Sequence, residues 1–363
     1  MPGTSERRSG SRAAIFAAFA AIYLIWGSTY LAIRIGLESL PPFLMAGSRF
    51  VIAGVLLYGW LRIRGLPRPS DRQWWSAVVT GVLMLVFGVG GVTWAEQWVP
   101  SGVAALLVAT VPLWMALLDA AAYRRGRISG RDAIGMMLGL AGVSVLIGLW
   151  SSDLGRVHPA GAAIILLGAM AWSLGSLHSR KAELPKSPAM TVAIQMISAG
   201  IVLLVISSVL REWQTGFALA QITTRSAMAL LYLIVIGSIV TLSAYVWLLR
   251  TVSASAVATY AFVNPVIAVV LGWAVAGEPM GPRVLGAAVL IVGAVVLIQS
   301  DQWRRALAAE ETIQPIVMGR AVSDNLSAVG PVGAVPSVPT SLCAAQAGCP
   351  VAPCLRQDST LAS

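Results

Sequence analysis

Two long apolar stretches, each with a proline near its centre, constrain this sequence more than any other feature. The first covers residues 99–119, VPSGVAALLVATVPLWMALLD, and the second covers residues 252–272, VSASAVATYAFVNPVIAVVLG. Subtracting 153 from the second stretch places Pro265 on Pro112. Each stretch is about long enough to cross a bilayer as a helix. A proline there removes the hydrogen bond to the carbonyl four residues earlier, so that carbonyl needs another partner or a water-lined cavity.

The composition indicates an integral membrane protein. Of the 363 residues, 57% are hydrophobic and 11% are charged, and the mean hydropathy is +0.80. A soluble protein has about 25% charged residues. The formal charge of +10 does not favour a nucleic-acid partner, because the cations lie between apolar stretches instead of along one surface. The expected surroundings are therefore a lipid bilayer.

Ten apolar spans predict an all-α fold with ten transmembrane helices. Short connections separate most of them, so consecutive helices should be antiparallel neighbours. The predicted spans are 13–33, 43–61, 74–96, 101–123, 132–150, 160–179, 189–209, 226–249, 255–276 and 283–299.

The cations between the spans predict the orientation. Seventeen arginines and lysines flank one side and five flank the other, and the richer side of such proteins faces the cytoplasm. With ten spans both termini share the rich side, so the N- and C-termini should be cytoplasmic. Residues 1–12 then form a cytosolic segment. Residues 301–363 are amphipathic for a few turns and then have no helical or strand period, so they should form a disordered cytosolic tail.

An internal repeat divides the spans into two five-helix units, residues 13–150 and 157–299. An odd number of helices per unit inverts the second unit across the membrane, and inverted repeats are typical of proteins that open one site to two faces in turn. The matched pairs at an offset of 146 are Trp26 with Trp172, Pro42 with Pro188 and Arg49 with Gln195.

Residues 13–299 resemble the ten-helix drug/metabolite transporters, specifically the EamA-type branch of bacterial inner-membrane exporters. The motifs that carry the resemblance are IWGSTYLAIRIG, PPFLMAGSRFVIAGVLLYG, AEQWVPSGVAALLVATVPLW and SASAVATYAFVNPVIAVVLGWAVAGEPMGPRVLGAAVLIVGAVVL. The resemblance implies a multi-pass protein of the bacterial inner membrane that exports amino acids, related metabolites or drugs, while other members carry sugars or phosphorylated compounds. The turn after the fourth span has no glutamate to match Glu278.

The substrate site should surround the two prolines. Asn264 is a buried amide beside Pro265, and Tyr260 lies one helical turn earlier on the same face. Their counterparts around Pro112 are Thr110 and Trp114, although a threonine often bonds its own backbone. Alternatively, the prolines are kinks that merely improve packing. Deeper in the bilayer, aromatic and small residues are expected to line the cavity, namely Trp26, Ser28, Trp172 and Ser176.

Two ionisable residues are candidates for coupling or charge recognition. Arg49 lies about two turns inside the second span and could neutralise a carboxylate, either on the substrate or on the protein. Glu96 ends the third span; it is either a proton-coupling residue, because burial raises the pKa of a carboxylate, or a solvated helix end.

These features favour a secondary transporter of small polar or amphipathic solutes that works by alternating access and exports them. An ion gradient, with protons as the candidate ion, or the substrate gradient would supply the energy. Import or exchange of a sugar-like solute is the alternative. A membrane enzyme would need converging nucleophiles, bases or metal ligands, and both histidines, His158 and His178, lie near span ends. We predict no enzymatic activity, no cofactor and no metal; small-residue faces on the fifth and tenth spans leave monomer and homodimer open.

Overall fold

The computed structural model describes residues 12–123, 130–147, 158–214, 219–252, 260–297 and 300. The predictions for nearly all of the N-terminal segment 1–12 and for the tail 301–363 lie outside these residues. So does the first part of the second proline stretch, residues 253–259.

Helices separated by short connections make up most of the described chain. Six of them are long and apolar enough to cross a membrane, and four shorter apolar helices accompany them. We number the helices of the described residues in chain order and label the two parts of the fourth span α4a and α4b. They are α1 (Arg12–Gly36), α2 (Pro42–Ile63), α3 (Asp71–Ala95), α4a (Ser101–Val108), α4b (Val111–Tyr123), α5 (Gly130–Ile147), α6 (Pro159–Ser179), α7 (Pro188–Val209), α8 (Thr224–Ile234, Val235–Val240 and Thr241–Thr251), α9 (Tyr260–Ala276) and α10 (Pro282–Leu297).

Local sequence explains where several helices begin. Helices α2, α6 and α7 each start at a proline, whose missing N–H costs nothing in the first turn. Helix α3 starts with a capping box in which Ser70 accepts from the Gln73 N–H and the Gln73 side chain accepts from the Ser70 N–H. These signals fix the ends of the spans to within a few residues of their predicted limits.

The helix packing repeats between the two halves. Helix α1 packs against α8 and α9, and its counterpart α6 packs against α3 and α4. Helix α2 packs along α7, and α4a packs against α9. A helix of the first half from α1 to α4 therefore contacts the second half in the same way as its counterpart in the second half contacts the first. This symmetry of contacts agrees with a two-repeat architecture.

Glycines bring the central pair, α2 and α7, into close contact. A Cβ added to Gly200 would lie 2.6 Å from the backbone nitrogen of Val51, and one added to Gly54 would lie 2.8 Å from that of Ile197. Helices without bulky side chains at their crossing can approach closely, which favours association inside a membrane. This pair lies beside the helices that carry the candidate site.

Candidate functional site

The fourth span is interrupted beside Pro112. Helix α4a ends at Val108 and α4b starts at Val111, so Ala109 and Thr110 form the break. The Thr110 hydroxyl donates to the Leu107 carbonyl at 2.6 Å. The Ser173 hydroxyl on α6 lies 2.8 Å from the Ala169 carbonyl of its own helix and 3.1 Å from the Val111 carbonyl. Thr110 thus serves its own backbone, and Ser173 connects α6 of the other half to the break; the carbonyl that Pro112 frees is that of Val108.

The second proline does not interrupt its helix. Pro265 lies inside the continuous helix α9, whereas the sequence predicted two equivalent breaks. Asn264 stands directly before Pro265. In the amide orientation that satisfies its neighbours, its nitrogen donates to the carbonyls of Tyr260 and Tyr23, each at 3.2 Å. The amide therefore links α9 to α1, while the carbonyl that Pro265 frees is that of Ala261.

Three aromatic rings from three helices meet beside Asn264. The centroid of Trp26 on α1 lies 4.9 Å from that of Tyr260 on α9 and 5.2 Å from that of Tyr245 on α8. The two tyrosine rings are 6.1 Å apart and nearly perpendicular. We call Trp26, Tyr245 and Tyr260 the aromatic cluster. The close approach of α1 and α9 at Gly27 holds it together, because Ile267 fills the space that a side chain would need.

The sequence analysis missed the contribution of α8. Tyr245 completes the aromatic cluster, and the hydroxyl of Tyr232 lies 2.6 Å from that of the predicted residue Ser28. Two tyrosines within an apolar span were the available signal. The offset of 153 puts Val92 opposite Tyr245 and Leu107 opposite Tyr260. The aromatic cluster, which joins the two halves, therefore has no symmetric counterpart around Trp172.

The other predicted residues make their described contacts elsewhere. Trp172 packs beside Gly88 on α3, and Ser176 donates to the Trp172 carbonyl of its own helix at 2.8 Å. The indole nitrogen of Trp114 is buried and has no hydrogen-bond partner among the described residues. The structure thus unites Trp26, Tyr260 and Asn264 but does not repeat this arrangement around Pro112.

Arg49 is buried in the bundle interior, with 8% of its surface exposed. Its Nε donates to the Ser238 hydroxyl on α8 at 3.1 Å, and its guanidinium lies 5.1 Å from the centroid of the Phe50 ring. No carboxylate of the described residues lies within ion-pair distance of it. The equivalent residue Gln195 makes the corresponding bond, from Nε2 to the Thr80 hydroxyl on α3 at 2.8 Å. Arg49 therefore brings into the interior a positive charge that no carboxylate of the described residues pairs with.

Glu96 is fully buried at the end of α3. Neither carboxylate oxygen has a hydrogen-bond partner among the described residues. Arg34 on α1 is adjacent, but its guanidinium donates to the backbone carbonyls of Glu96 and Gln97. The alternative of a solvated helix end does not fit this burial. Within the described residues, no group of three or more His, Cys, Asp or Glu side chains could hold a metal.

The bundle and its buried polar groups define a class of protein. Apolar helices in two corresponding halves, with aromatic, amide and guanidinium groups inside, are the architecture of a membrane transporter. The chain belongs to the EamA-like transporter family, which matches residues 12–148 and again residues 159–300. The predicted resemblance is confirmed, and the family is one of transporters.

The relatives and a solved structure agree with this assignment. The inner membrane transporter YedA of Escherichia coli K12 is 39% identical over 308 residues, which cover 84% of this chain and 95% of YedA. A probable amino-acid metabolite efflux pump of the same strain is 23% identical over 303 residues, covering 79% and 95%. One crystal structure, 21% identical, covers 80% of this chain and 98% of its own with a TM-score of 0.54, which supports the fold.

Proposed function

We propose that this protein is a proton-coupled exporter of small amphipathic metabolites in a bacterial inner membrane. Ten spans form two inverted halves, residues 13–150 and 157–299, and one site opens to each side in turn. Both termini are cytoplasmic, as the distribution of arginine and lysine indicates. In this orientation Glu96, Ser101 and Glu278 lie at the periplasmic end of the bundle.

The observation that carries the proposal is the pairing of an aromatic cluster with polar groups on the same helices. Trp26, Tyr245 and Tyr260 offer ring faces to an apolar or cationic part of a solute, and Asn264 offers an amide. Arg49 contacts α8, the helix that carries Tyr245, and has no carboxylate partner among the described residues. A solute with a carboxylate and an apolar side chain would pair with Arg49 and pack against the aromatic cluster.

The name of one relative supports this substrate class. The efflux pump of Escherichia coli is described as acting on amino-acid metabolites, which combine charged groups with apolar side chains. A buried guanidinium prefers a carboxylate to a neutral sugar, because charge-assisted hydrogen bonds are about twice as strong as neutral ones. The proposal therefore favours amino acids and related compounds over sugar-like solutes.

An efflux screen tests the proposal. Cells that produce the protein are loaded with a metabolite library, and the medium is compared with that of cells producing Asn264→Leu at the same membrane level. We expect carboxylate-bearing amphipathic compounds to leave faster from the first cells. If the neutral sugars alone respond, the proposed substrate class is wrong, and if no compound responds, the export direction is wrong.

A further inference from the structure

Helices α7 and α9 end in the same way, and each end reaches the other half of the protein. Arg211 and Gly277 have positive φ angles, 55° and 65°, which turn the chain back after the last helical residues. A glutamate follows each of them. The carboxylate of Glu212 accepts from the N–H groups of Phe43 and Leu44 in the first turn of α2, at 3.3 and 2.9 Å.

Glu278 makes the shorter pair of bonds, on the first turn of α4a. Its Oε1 accepts from the Ser101 N–H at 2.6 Å and its Oε2 accepts from the Gly102 N–H at 3.0 Å. Gly272 leaves room for this carboxylate, because an added Cβ would overlap Oε2. Free amides at a helix N-terminus attract a negative charge. The Glu278 carboxylate therefore links α9 of the second half to α4a of the first.

A second carboxylate distinguishes the Glu278 end from the Glu212 end. Glu96 is fully buried, and the short segment that follows it leads to Ser101, whose N–H group binds the Glu278 carboxylate. The other charged or titratable groups at this end are Arg34, whose guanidinium donates to the Glu96 and Gln97 carbonyls, Tyr30 on α1, and His158 at the start of α6, whose ring lies 5.5 Å from that of Trp98. The Ser101 hydroxyl is also buried without a partner among the described residues.

Glu96 is fully buried, and a buried carboxylate near a second negative charge is ionised only at a large cost. Glu278 receives two N–H groups, the arrangement that an ionised carboxylate prefers, whereas Glu96 receives none. In the arrangement that the structure shows, the proton of this pair therefore belongs on Glu96.

We propose that Glu96 and Glu278 form one proton-binding pair that controls the contact between α9 and α4a. When Glu278 binds the Ser101 and Gly102 amides, Glu96 takes up a proton from the periplasmic solvent. When Glu278 leaves, Glu96 is exposed, releases that proton and ionises beside Arg34. The closed contact binds one more proton than the open one, so acid favours closure. The inference rests on the proposed function, since alternating access requires a closure at this end.

Amide hydrogen exchange on the full chain in nanodiscs tests the pair without any substrate. Mass spectrometry of overlapping peptides measures protection at residues 101–102, where Glu278 is the acceptor, and at residues 43–44, where Glu212 is the acceptor. Rates at each pH are divided by the intrinsic exchange rates. We expect protection at 101–102 to fall between pH 5.5 and pH 8.5, by up to about tenfold per pH unit. Protection at 43–44, the matched internal control, should stay constant.

Three variants assign the effect to the pair. Glu96→Gln should keep protection at 101–102 high at every pH, because its side chain stays neutral. Glu278→Gln should lower protection there by roughly tenfold, as expected for the loss of a charged acceptor. Gly272→Ala displaces the Glu278 carboxylate without removing a charge and should give the same loss, so a poorly folding Glu278→Gln chain does not end the test.

Three results would overturn the inference. They are a pH dependence at 101–102 that persists in Glu96→Gln, an equal pH dependence at 43–44, and protection at 101–102 that stays constant with pH. The test is independent of transport. A chain that moves no solute but shows the expected exchange pattern would refute the proposed function and support the proton-binding pair. A chain that transports solute while protection at 101–102 stays constant would support the proposed function and refute the pair.

Discussion

Replacing Gly27 by alanine tests whether the crossing of α1 and α9 positions the aromatic cluster. The new Cβ would lie 2.7 Å from Cγ2 and 2.8 Å from Cβ of Ile267, and 3.2 Å from the Asn264 carbonyl oxygen. Carbon atoms pack best at about 3.5 to 4.0 Å. The Cβ of Ile267 cannot rotate away, because it is bonded to the backbone of α9. The two helices must therefore separate by roughly 0.7 Å or more.

Two opposing contributions set the magnitude. Overpacking an interior typically costs about 1 to 3 kcal/mol. Replacing glycine by alanine inside a helix stabilises the folded state by about 1 kcal/mol. We expect a net loss of about 1 kcal/mol in the free energy of unfolding. Transport should fall more clearly than stability, because the separation moves Trp26 away from Tyr260.

Unfolding of the purified protein, followed by tryptophan fluorescence, measures the first effect, and efflux at matched membrane levels measures the second. Gly59→Ala is the matched control, since nothing lies within 4 Å of the position of its Cβ, and it should leave stability unchanged or slightly raised. The double variant Gly27→Ala with Ile267→Ala should recover part of the stability. If Gly27→Ala behaves like Gly59→Ala, the tight crossing of α1 and α9 is refuted.

Three further substitutions test the break beside Pro112, the charge of Arg49 and the amide of Asn264. Ser173→Ala removes a buried hydroxyl that contacts the Ala169 carbonyl of its own helix and the Val111 carbonyl of α4b, and it should destabilise the fold by about 0.5 to 1.5 kcal/mol in unfolding measurements, whereas Ser144→Ala, which loses a bond within its own helix alone, should change little. Arg49→Gln should raise the half-saturating concentration of a carboxylate substrate by roughly tenfold or more but not that of its neutral amide; equal effects would contradict the role of the charge. Asn264→Leu should abolish efflux at normal membrane levels, and normal efflux would remove Asn264 from the site.

Hydrophobic length made most of the fold predictable. The spans 43–61 and 189–209 lie within α2 and α7, which run over Pro42–Ile63 and Pro188–Val209. A run of apolar residues that ends at proline or at polar turn residues leaves the backbone few alternatives to a helix. The repeat was visible because the matched residues stand at a nearly constant offset.

The different fates of the two prolines could not be read from either stretch alone. Near Pro112 the Ser173 hydroxyl of another helix lies 3.1 Å from the Val111 carbonyl, and near Pro265 the amide of Asn264 bonds to Tyr260 and to Tyr23. Both outcomes depend on partners across the halves. The symmetry that revealed the repeat also predicted equal breaks, which the structure does not have.

Tyr245 and Glu212 were missed for a related reason. Tyr245 lies about 220 residues from Trp26 along the chain, and Glu212 lies 169 residues from Phe43. No periodicity within one helix reports contacts of this kind. A buried guanidinium or carboxylate can be suspected from its place in an apolar span, as for Arg49 and Glu96, but its neighbours must be seen.

The central claim is that a proton gradient drives a carboxylate-bearing solute through this protein. The direct measurement is uptake of a radiolabelled compound from the efflux screen into inverted vesicles that contain the purified protein, with and without a proton gradient that is acid inside. We predict uptake that collapses when the gradient is dissipated and that is lost in Glu96→Gln. Uptake that is unaffected by the gradient, or that keeps its full rate in Glu96→Gln, would contradict the account.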